Sequence, residues 1–191
     1  MFTANILRGP LVAAALALPG LSGAAISPAL RETVRQLAQA QRQNLEARFQ
    51  QDHAHPELAF PLDETAALVA KKLKKMGYKV HTGIAQTGLA AVLKNGEGPV
   101  IMFRSDMDAL PVKEDSGLPY ASKKQVTLDD GSSQYVSHAC GHDAHTAWLL
   151  GIAKVMMETR DSWSGTLVLV GQPAEELIAG AQAMVDDGLY D

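Results

Sequence analysis

The 191-residue chain is long enough for one domain with a hydrophobic core, and 47% hydrophobic with 20% charged residues is the composition of a globular protein. A formal net charge of −4 gives no electrostatic basis for binding nucleic acid. The single cysteine, Cys140, excludes an intrachain disulfide and is therefore a buried side chain, a reactive thiol or a metal ligand.

The N-terminal segment has the pattern of an export signal. Arg8 precedes an apolar run over residues 11–18. Pro19-Gly20 ends this run, and small residues suited to cleavage follow at 22–24. The run is too short to span a bilayer, so no stable membrane insertion is expected. We expect residues 1–25 to be a signal peptide and the protein to be periplasmic or secreted. The alternatives are an uncleaved anchor or a wrongly assigned start, and without a signal the protein would be cytoplasmic.

Hydrophobic periodicity and turn signals predict two helices, three strands, a long irregular stretch, a helix, a strand and a final helix. The predicted helices span residues 27–51, 63–76, 143–159 and 179–187. The predicted strands span residues 78–82, 89–93, 100–103 and 165–170, with two short ones near 125–128 and 134–136 inside the irregular stretch 111–137. Strands that alternate with helices indicate an α/β domain with a mixed sheet.

Local signals add detail to these elements. Ser27 and Asp63 are expected to cap the first and second helices. Asn95-Gly96 favours a turn between antiparallel strands on either side of it. The unbroken apolar run 100–103 is typical of a strand buried on both faces. The helix over 143–159 is apolar enough to be largely buried.

Three polar clusters lie next to predicted strands and helices. They are the pairs Asp106/Asp108, Cys140/His142 and Glu175/Glu176. The first and third pairs follow apolar strands, and the second precedes a helix. Because ligands gather at the carboxyl ends of strands in an α/β sheet, we expect the three clusters to converge on one site.

The segment His138–His145 carries the strongest chemical signal, since it contains three histidines, an aspartate and the only cysteine. Such donors suit a transition metal better than a hydrophobic core. In extended chain, residues two apart face the same side, so Cys140 and His142 would point together. The adjacent Glu175 and Glu176 would point apart. One of them can then ligate metal while the other takes the proton from the attacking water.

Other interpretations explain less of the sequence. Asp106-Met107-Asp108 alone is typical of a turn or a cap. Cys140 could act as a nucleophile with a nearby histidine as base. That mechanism would leave the paired carboxylates unexplained, and no strained nucleophile turn is evident. A site for metal-dependent hydrolysis is therefore favoured.

Six stretches together match a known family. They are His53-Ala54-His55-Pro56-Glu57-Leu58, Thr87-Gly88-Leu89-Ala90, Arg104-Ser105-Asp106-Met107-Asp108-Ala109-Leu110-Pro111, Gly117-Leu118-Pro119-Tyr120-Ala121-Ser122, His138 to His145, and Gln172-Pro173-Ala174-Glu175-Glu176. On these motifs the chain resembles the metal-dependent N-acyl-amino-acid amidohydrolases. This group contains hippurate hydrolases and plant auxin-conjugate hydrolases, within the two-metal aminoacylase and carboxypeptidase class. The resemblance implies a three-layer α/β/α metallopeptidase-like catalytic domain with a mixed sheet.

The resemblance also implies roles for single residues. Cys140, His142 and Glu176 match metal ligands. Glu175 matches the general base that activates water, and Asp108 matches the aspartate that supports the metal site from behind. The implied cofactors are divalent ions, two of them in the complete enzyme. Zinc, manganese, nickel and cobalt all fit such a donor set.

Some motif residues depart from the family pattern or have no ligand role. Asp106 stands where other branches of the class place a metal-binding histidine. His138 and His145 are expected to orient ligands or to face the substrate. Residues 177–180 read Leu-Ile-Ala-Gly where family members have a run of glycines.

The family members are longer than this chain. The resemblance implies that residues 26–191 are the N-terminal portion of a catalytic domain. Further metal-binding histidines, the C-terminal part and an inserted lid domain that forms the homodimer are absent. The implied function is hydrolysis of the amide bond of a small N-acyl amino acid. The alternatives are a catalytically inactive metal-binding fragment, or a dipeptidase or carboxypeptidase of the same class. A shortened sheet would expose apolar edges, so the chain alone is expected to be poorly soluble or to associate.

Overall fold

Helices and strands alternate through residues 26–128 and 130–190, the part of the chain that the computed structural model describes. The predicted signal peptide, residues 1–25, lies outside this part. The helices are α1 Pro28–Ala54, α2 Asp63–Lys75, α3 His142–Glu158 and α4 Gly180–Asp186, with a single 3₁₀ turn at Arg160–Ser162. The strands are β1 Lys79–Ile84, β2 Gly88–Asn95, β3 Val100–Asp106, β4 Gln125–Thr127, β5 Ser133–Tyr135 and β6 Gly165–Gln172. The predicted order of elements is confirmed, including the short pair β4 and β5.

Four strands form a mixed sheet in the order β1-β2-β6-β3. Strand β6 runs antiparallel to β2 and parallel to β3. The strands on either side of Asn95-Gly96 are therefore antiparallel, as predicted, although they are not neighbours, because β6 lies between them. Strand β6 is buried along most of its length and lies inside the sheet. An interior position suits an apolar strand better than an edge position does.

The sheet separates two hydrophobic layers. Leu167 and Leu169 of β6 face the main core, which also contains Leu73 of α2 and Leu149 of α3. On the opposite face, Val170 packs with Met184 of α4 and with neighbouring apolar residues. Helices on both faces give the α/β/α layering, with α4 as the helix on the second face in the described part of the chain.

Strand β3 departs from its predicted burial. Val100 is 70% exposed, Ile101 61% and Met102 39%. The prediction that this run is buried on both faces is wrong for this chain, because β3 is the edge strand of the sheet that the described residues form. An apolar edge of this kind exposes unpaired backbone groups and invites pairing with another strand.

The two N-terminal helices begin in different ways. The hydroxyl of Ser27 accepts a hydrogen bond from the Leu30 amide at 3.1 Å and caps α1 as predicted. Helix α2 has no side-chain cap from Asp63, so that prediction is wrong. The buried carboxylate of Glu57 instead accepts from the amides of Glu64 and Thr65, at 3.3 and 2.8 Å. Glu57 lies in the loop before α2, six residues ahead of the first helical residue, so the usual spacing of a helix cap does not identify it.

Helix α3 packs with one face on the sheet and on α1. Leu149 and Ala153 are fully or almost fully buried, whereas Trp148 is 58% exposed. The expectation of a largely buried helix is therefore correct for one face only. Among the described residues, no helix combines the length and the apolar character needed to cross a membrane.

Candidate metal centre

The three polar clusters meet beyond the carboxyl-terminal ends of strands β3 and β6. Asp106 is the last residue of β3 and lies opposite Gln172, the last residue of β6, in the parallel register. The segments that carry Asp108 and Glu175-Glu176 leave the sheet at this same end. The expected convergence at the carboxyl ends of the strands is thus found.

Gly141 shapes the approach of the second cluster. It is the N-terminal cap of α3 and has φ 86°, a left-handed conformation that suits glycine because it has no Cβ. Cys140 precedes this turn, and His142 is the first residue of the helix. The turn, rather than an extended chain, brings these two side chains to a common site.

A tight loop after β6 holds the two glutamates. The amides of Ala179 and Gly180 both donate to the carbonyl of Ala174, at 3.3 and 3.0 Å. A Cβ at Gly180 would overlap the carbonyl oxygen of Pro173, so only glycine fits there. Ile178 has φ 54° and is 95% exposed, a strained conformation for a β-branched residue. A glycine at this position would adopt the same backbone conformation without strain.

Cys140, His142 and Glu176 are brought together by these elements. One potential ligand atom of each lies within 4.8 Å of the others, a spacing that could hold a single metal ion. Thiolate, imidazole and carboxylate form a donor set that fits zinc and similar divalent ions.

The imidazole of His142 is oriented by backbone and carboxylate groups. Its Nδ1 donates to the carbonyl oxygen of Asp108 at 2.8 Å, which leaves Nε2 as the nitrogen that is available to a metal. Burial lowers the pKa of His142, but the hydrogen bonds and charge of Asp108, together with the charge of Asp106, outweigh it and raise the pKa to about 9. The pocket therefore stabilises positive charge at this position.

Asp108 lies behind the cluster and is fully buried. Its Oδ2 accepts from the Glu176 amide at 3.0 Å, and its Oδ1 is 3.4 Å from His142 Nδ1. Burial raises the pKa of Asp108, but the nearby His142 ring and the hydrogen bond from the Glu176 amide lower it by more, so the net shift is downward. Asp108 thus joins two candidate ligands through direct contacts.

Glu175 and Glu176 differ in environment, as their adjacent positions predict. The Glu175 side chain is 39% exposed, with Oε2 3.7 Å from His142 Nε2. The Glu176 side chain is 15% exposed, with Oε1 3.9 Å from His142 Nδ1. One carboxylate therefore faces solvent beside the free nitrogen of His142, and the other is turned inward.

Two further observations fit a cation in this site. Asp108 Oδ1 and Glu176 Oε1 are buried without a hydrogen-bond partner among the described residues. Partial desolvation, followed by the negative charges of Glu176 and Glu175, raises the pKa of the Cys140 thiol. A buried acceptor without a donor, beside a thiol crowded by carboxylates, is compensated when a divalent ion binds among them.

The remaining motif residues flank the centre. His145 Nδ1 is 3.4 Å from Asp106 Oδ2, and its ring stacks on His142 at 5.1 Å between centroids. Asp106, His142 and His145 form a second group with donor atoms within 4.8 Å. His138 is buried, and desolvation lowers its pKa to about 4.

A network of charged side chains next to the candidate metal centre was not predicted from the sequence. His53 lies between the carboxylates of Asp143 and Glu114, at 2.6 and 3.0 Å. His53 and Asp143 belong to motifs that carry the family resemblance, and Glu114 lies in the long irregular stretch. Their contact joins residues 90 and 61 positions apart, which no local spacing reveals.

Sequence comparison shows which known proteins the chain is similar to. Residues 102–191 match the peptidase family M20/M25/M40. A hippurate hydrolase of Campylobacter jejuni is 47% identical over 142 residues, which cover 74% of this chain and 34% of that protein. An N-acetyl-L-cysteine deacetylase of Bacillus subtilis is 44% identical over 140 residues, covering 73% of this chain and 32% of that protein. Over the matched residues the chain is therefore similar in sequence to the M20/M25/M40 peptidase family and to hydrolases of N-acyl amino acids.

A solved structure supports the same relation. A dinuclear metal-binding peptidase of the M20 family from Bacillus subtilis superposes with a TM-score of 0.71 and 35% identity, over 80% of this chain and 41% of that one. The resemblance to N-acyl-amino-acid amidohydrolases and the metallopeptidase-like fold are thereby confirmed. The chain spans about a third of the length of the curated relatives it matches.

Proposed function

We propose that residues 26–191 form the N-terminal portion of a catalytic domain that hydrolyses the amide bond of small N-acyl amino acids. One observation carries the proposal: Cys140, His142 and Glu176 converge within 4.8 Å, beside a second carboxylate. The hippurate hydrolase and deacetylase among the relatives are named for substrates of this class. A homodimer formed through a lid domain outside this chain is part of the same proposal.

In this proposal Cys140, His142 and Glu176 hold a divalent ion. When bound, such an ion supplies a Lewis acid that polarises the amide carbonyl and lowers the pKa of water. Glu175 is the general base, since its half-exposed carboxylate lies 3.7 Å from His142 Nε2 and is free to accept a proton. Asp108 keeps His142 and the Glu176 backbone in register from the buried side.

The first experiment is a cobalt(II) titration of this chain, followed by absorption. Thiolate ligation gives a sulfur-to-cobalt charge-transfer band in the near ultraviolet, which we expect in the unmodified chain and not in Cys140→Ser. Glu175→Gln is the matched control, because it should keep the band. A band that persists in Cys140→Ser would exclude the thiolate as a ligand.

The second experiment measures hydrolysis of N-benzoylglycine and N-acetyl amino acids with the metal-loaded chain. Turnover that is lost in Glu175→Gln and on chelation would support catalysis by this chain itself. Tight metal binding without turnover would favour the alternative of an inactive metal-binding fragment, which the one-third coverage of the relatives supports. Faster cleavage of dipeptides than of acyl amino acids would favour a dipeptidase or carboxypeptidase of the same class.

We also propose that residues 1–25 direct export, on the basis of the apolar run at 11–18 and the small residues after it. Expression with periplasmic fractionation and N-terminal sequencing tests this proposal. Cleavage near residue 24 is expected. A cytoplasmic protein that keeps its N-terminus would contradict it.

A further inference from the structure

His53 connects three segments of the fold beside the metal centre. It lies in the last turn of α1, and its side chain is only 13% exposed. Its Nδ1 is 2.6 Å from Asp143 Oδ2 in the first turn of α3. Its Nε2 is 3.0 Å from Glu114 Oε1 in the irregular stretch after β3. Each ring nitrogen thus meets a carboxylate from a different segment.

The proton count of this arrangement decides its charge. A carboxylate only accepts hydrogen bonds, so both nitrogens of His53 must donate, and a neutral imidazole has a single N–H. Burial lowers the pKa of His53, but the hydrogen bonds and charges of Glu114 and Asp143 outweigh it, so the net shift is upward. The other titratable groups close by are Tyr120, whose ring packs edge-on at 5.3 Å, and His138, which its lowered pKa keeps neutral.

The two carboxylates are themselves fixed. Glu114 accepts from the Ser122 amide at 2.6 Å and from the Ser116 hydroxyl, which closes the loop of residues 114–122. Asp143 is 1% exposed and directly follows the candidate ligand His142. A bond at Asp143 therefore acts on the turn that presents His142.

We propose that His53 is a positioning residue: an imidazolium clamp that fixes the first turn of α3, and with it His142, against the loop of residues 114–122. The inference rests on the proposed function only in treating His142 as a ligand. A charged clamp differs from a packing histidine, because a packing histidine would need neither carboxylate.

The charge is tested by long-range proton–nitrogen NMR of histidine-labelled, metal-free chain. His53, assigned by its loss in His53→Gln, should show two protonated ring nitrogens through neutral pH. In Glu114→Gln the imidazolium should lose its proton at a lower pH than in the unmodified chain. A neutral His53 at neutral pH, or a midpoint that Glu114→Gln leaves unchanged, would overturn the proposal.

The positioning role is tested by amide hydrogen exchange of residues 142–146. Loss of two charged hydrogen bonds in His53→Gln should accelerate exchange there by about tenfold or more. His81→Gln is the matched control, because His81 is exposed on β1. Equal exchange in His53→Gln and His81→Gln would refute the clamp.

If His53→Gln does not fold, exchange in Glu114→Gln takes its place: acceleration over residues 142–146 supports the clamp, and unchanged exchange refutes it. None of these measurements needs metal or substrate. Failure of the clamp is therefore distinguishable from failure of the proposed hydrolase, which the cobalt titration and the turnover assay decide.

Discussion

Asp108→Asn removes one charge from the buried side of the metal centre without changing the size of the side chain. In the native arrangement Asp108 Oδ2 accepts from the Glu176 amide at 3.0 Å, and Oδ1 lies 3.4 Å from His142 Nδ1. Asparagine can keep its oxygen toward the Glu176 amide. Its NH₂ group must then face the N–H of His142, where two donors oppose each other.

The size of the effect follows from what remains intact. His142 Nδ1 still donates to the carbonyl oxygen of residue 108, so the tautomer that frees Nε2 is kept. Loss of a group that supports metal ligands reduces metal affinity by roughly 10–100-fold. Because the backbone bond survives, we expect the lower end for Asp108→Asn, about tenfold, or about 1.4 kcal/mol.

Cobalt(II) titrations of the unmodified chain, Asp108→Asn and Asp186→Asn measure this difference in dissociation constant. Asp186 lies on α4 and accepts a hydrogen bond from Gln182 in an exposed position, so its substitution is the control for charge alone. Circular dichroism establishes that each variant is folded. An affinity of Asp108→Asn equal to that of Asp186→Asn would refute the argument that Asp108 supports the ligands.

Four more outcomes test the fold. Glu57→Ala should lower the free energy of unfolding by about 1–2 kcal/mol, because Glu57 caps α2. Asp63→Ala should lower it by less than about 0.5 kcal/mol. Equal losses for the two variants in urea denaturation would contradict this assignment of the cap. Ile178→Gly should raise the free energy of unfolding by about 1 kcal/mol, because glycine adopts the left-handed conformation without strain. A lower free energy of unfolding would refute strain at this position. Ile101→Lys should reduce self-association in sedimentation if the apolar edge of β3 causes it; unchanged association would place the contact elsewhere. Because folding raises the pKa of His53, its contribution to stability is complete below the unfolded pKa of about 6.5 and is lost as pH rises through the folded pKa. The difference in free energy of unfolding between the unmodified chain and His53→Gln should therefore shrink over that pH range. A difference that grows with pH would contradict a raised pKa.

The sequence was sufficient for the elements and for the place where they meet. Alternating apolar strands and helices fixed the order, and short-range signals such as Ser27-Pro28 located a helix start within a residue or two. The convergence of the polar pairs followed from a general property of α/β sheets, namely that the carboxyl ends of parallel strands share an edge. None of these inferences needed a contact between residues far apart in sequence.

The errors arise where distant residues compete with a local signal. Asn95-Gly96 does lie between antiparallel strands, as predicted, but this local signal does not show that β6 pairs with both strands and separates them. Asp63 is a good cap, but the Glu57 carboxylate already occupies the amides at the start of α2. The exposure of Val100 depends on which strand lies next to β3, and this information is not contained in the apolar run itself.

The first turn of α3 shows how these long-range contacts serve the site. On one side the Asp108 carbonyl fixes the ring of His142, and on the other the His53–Asp143 contact fixes the backbone that carries it. Gly141 sets the angle between this helix and Cys140. With the turn fixed from both sides, the thiol and the imidazole have little conformational freedom left to lose, so metal binding requires little reorganisation. In the proposed metal centre, the motif supplies the ligand types, and residues of α1 and of the segment after β3 supply their geometry.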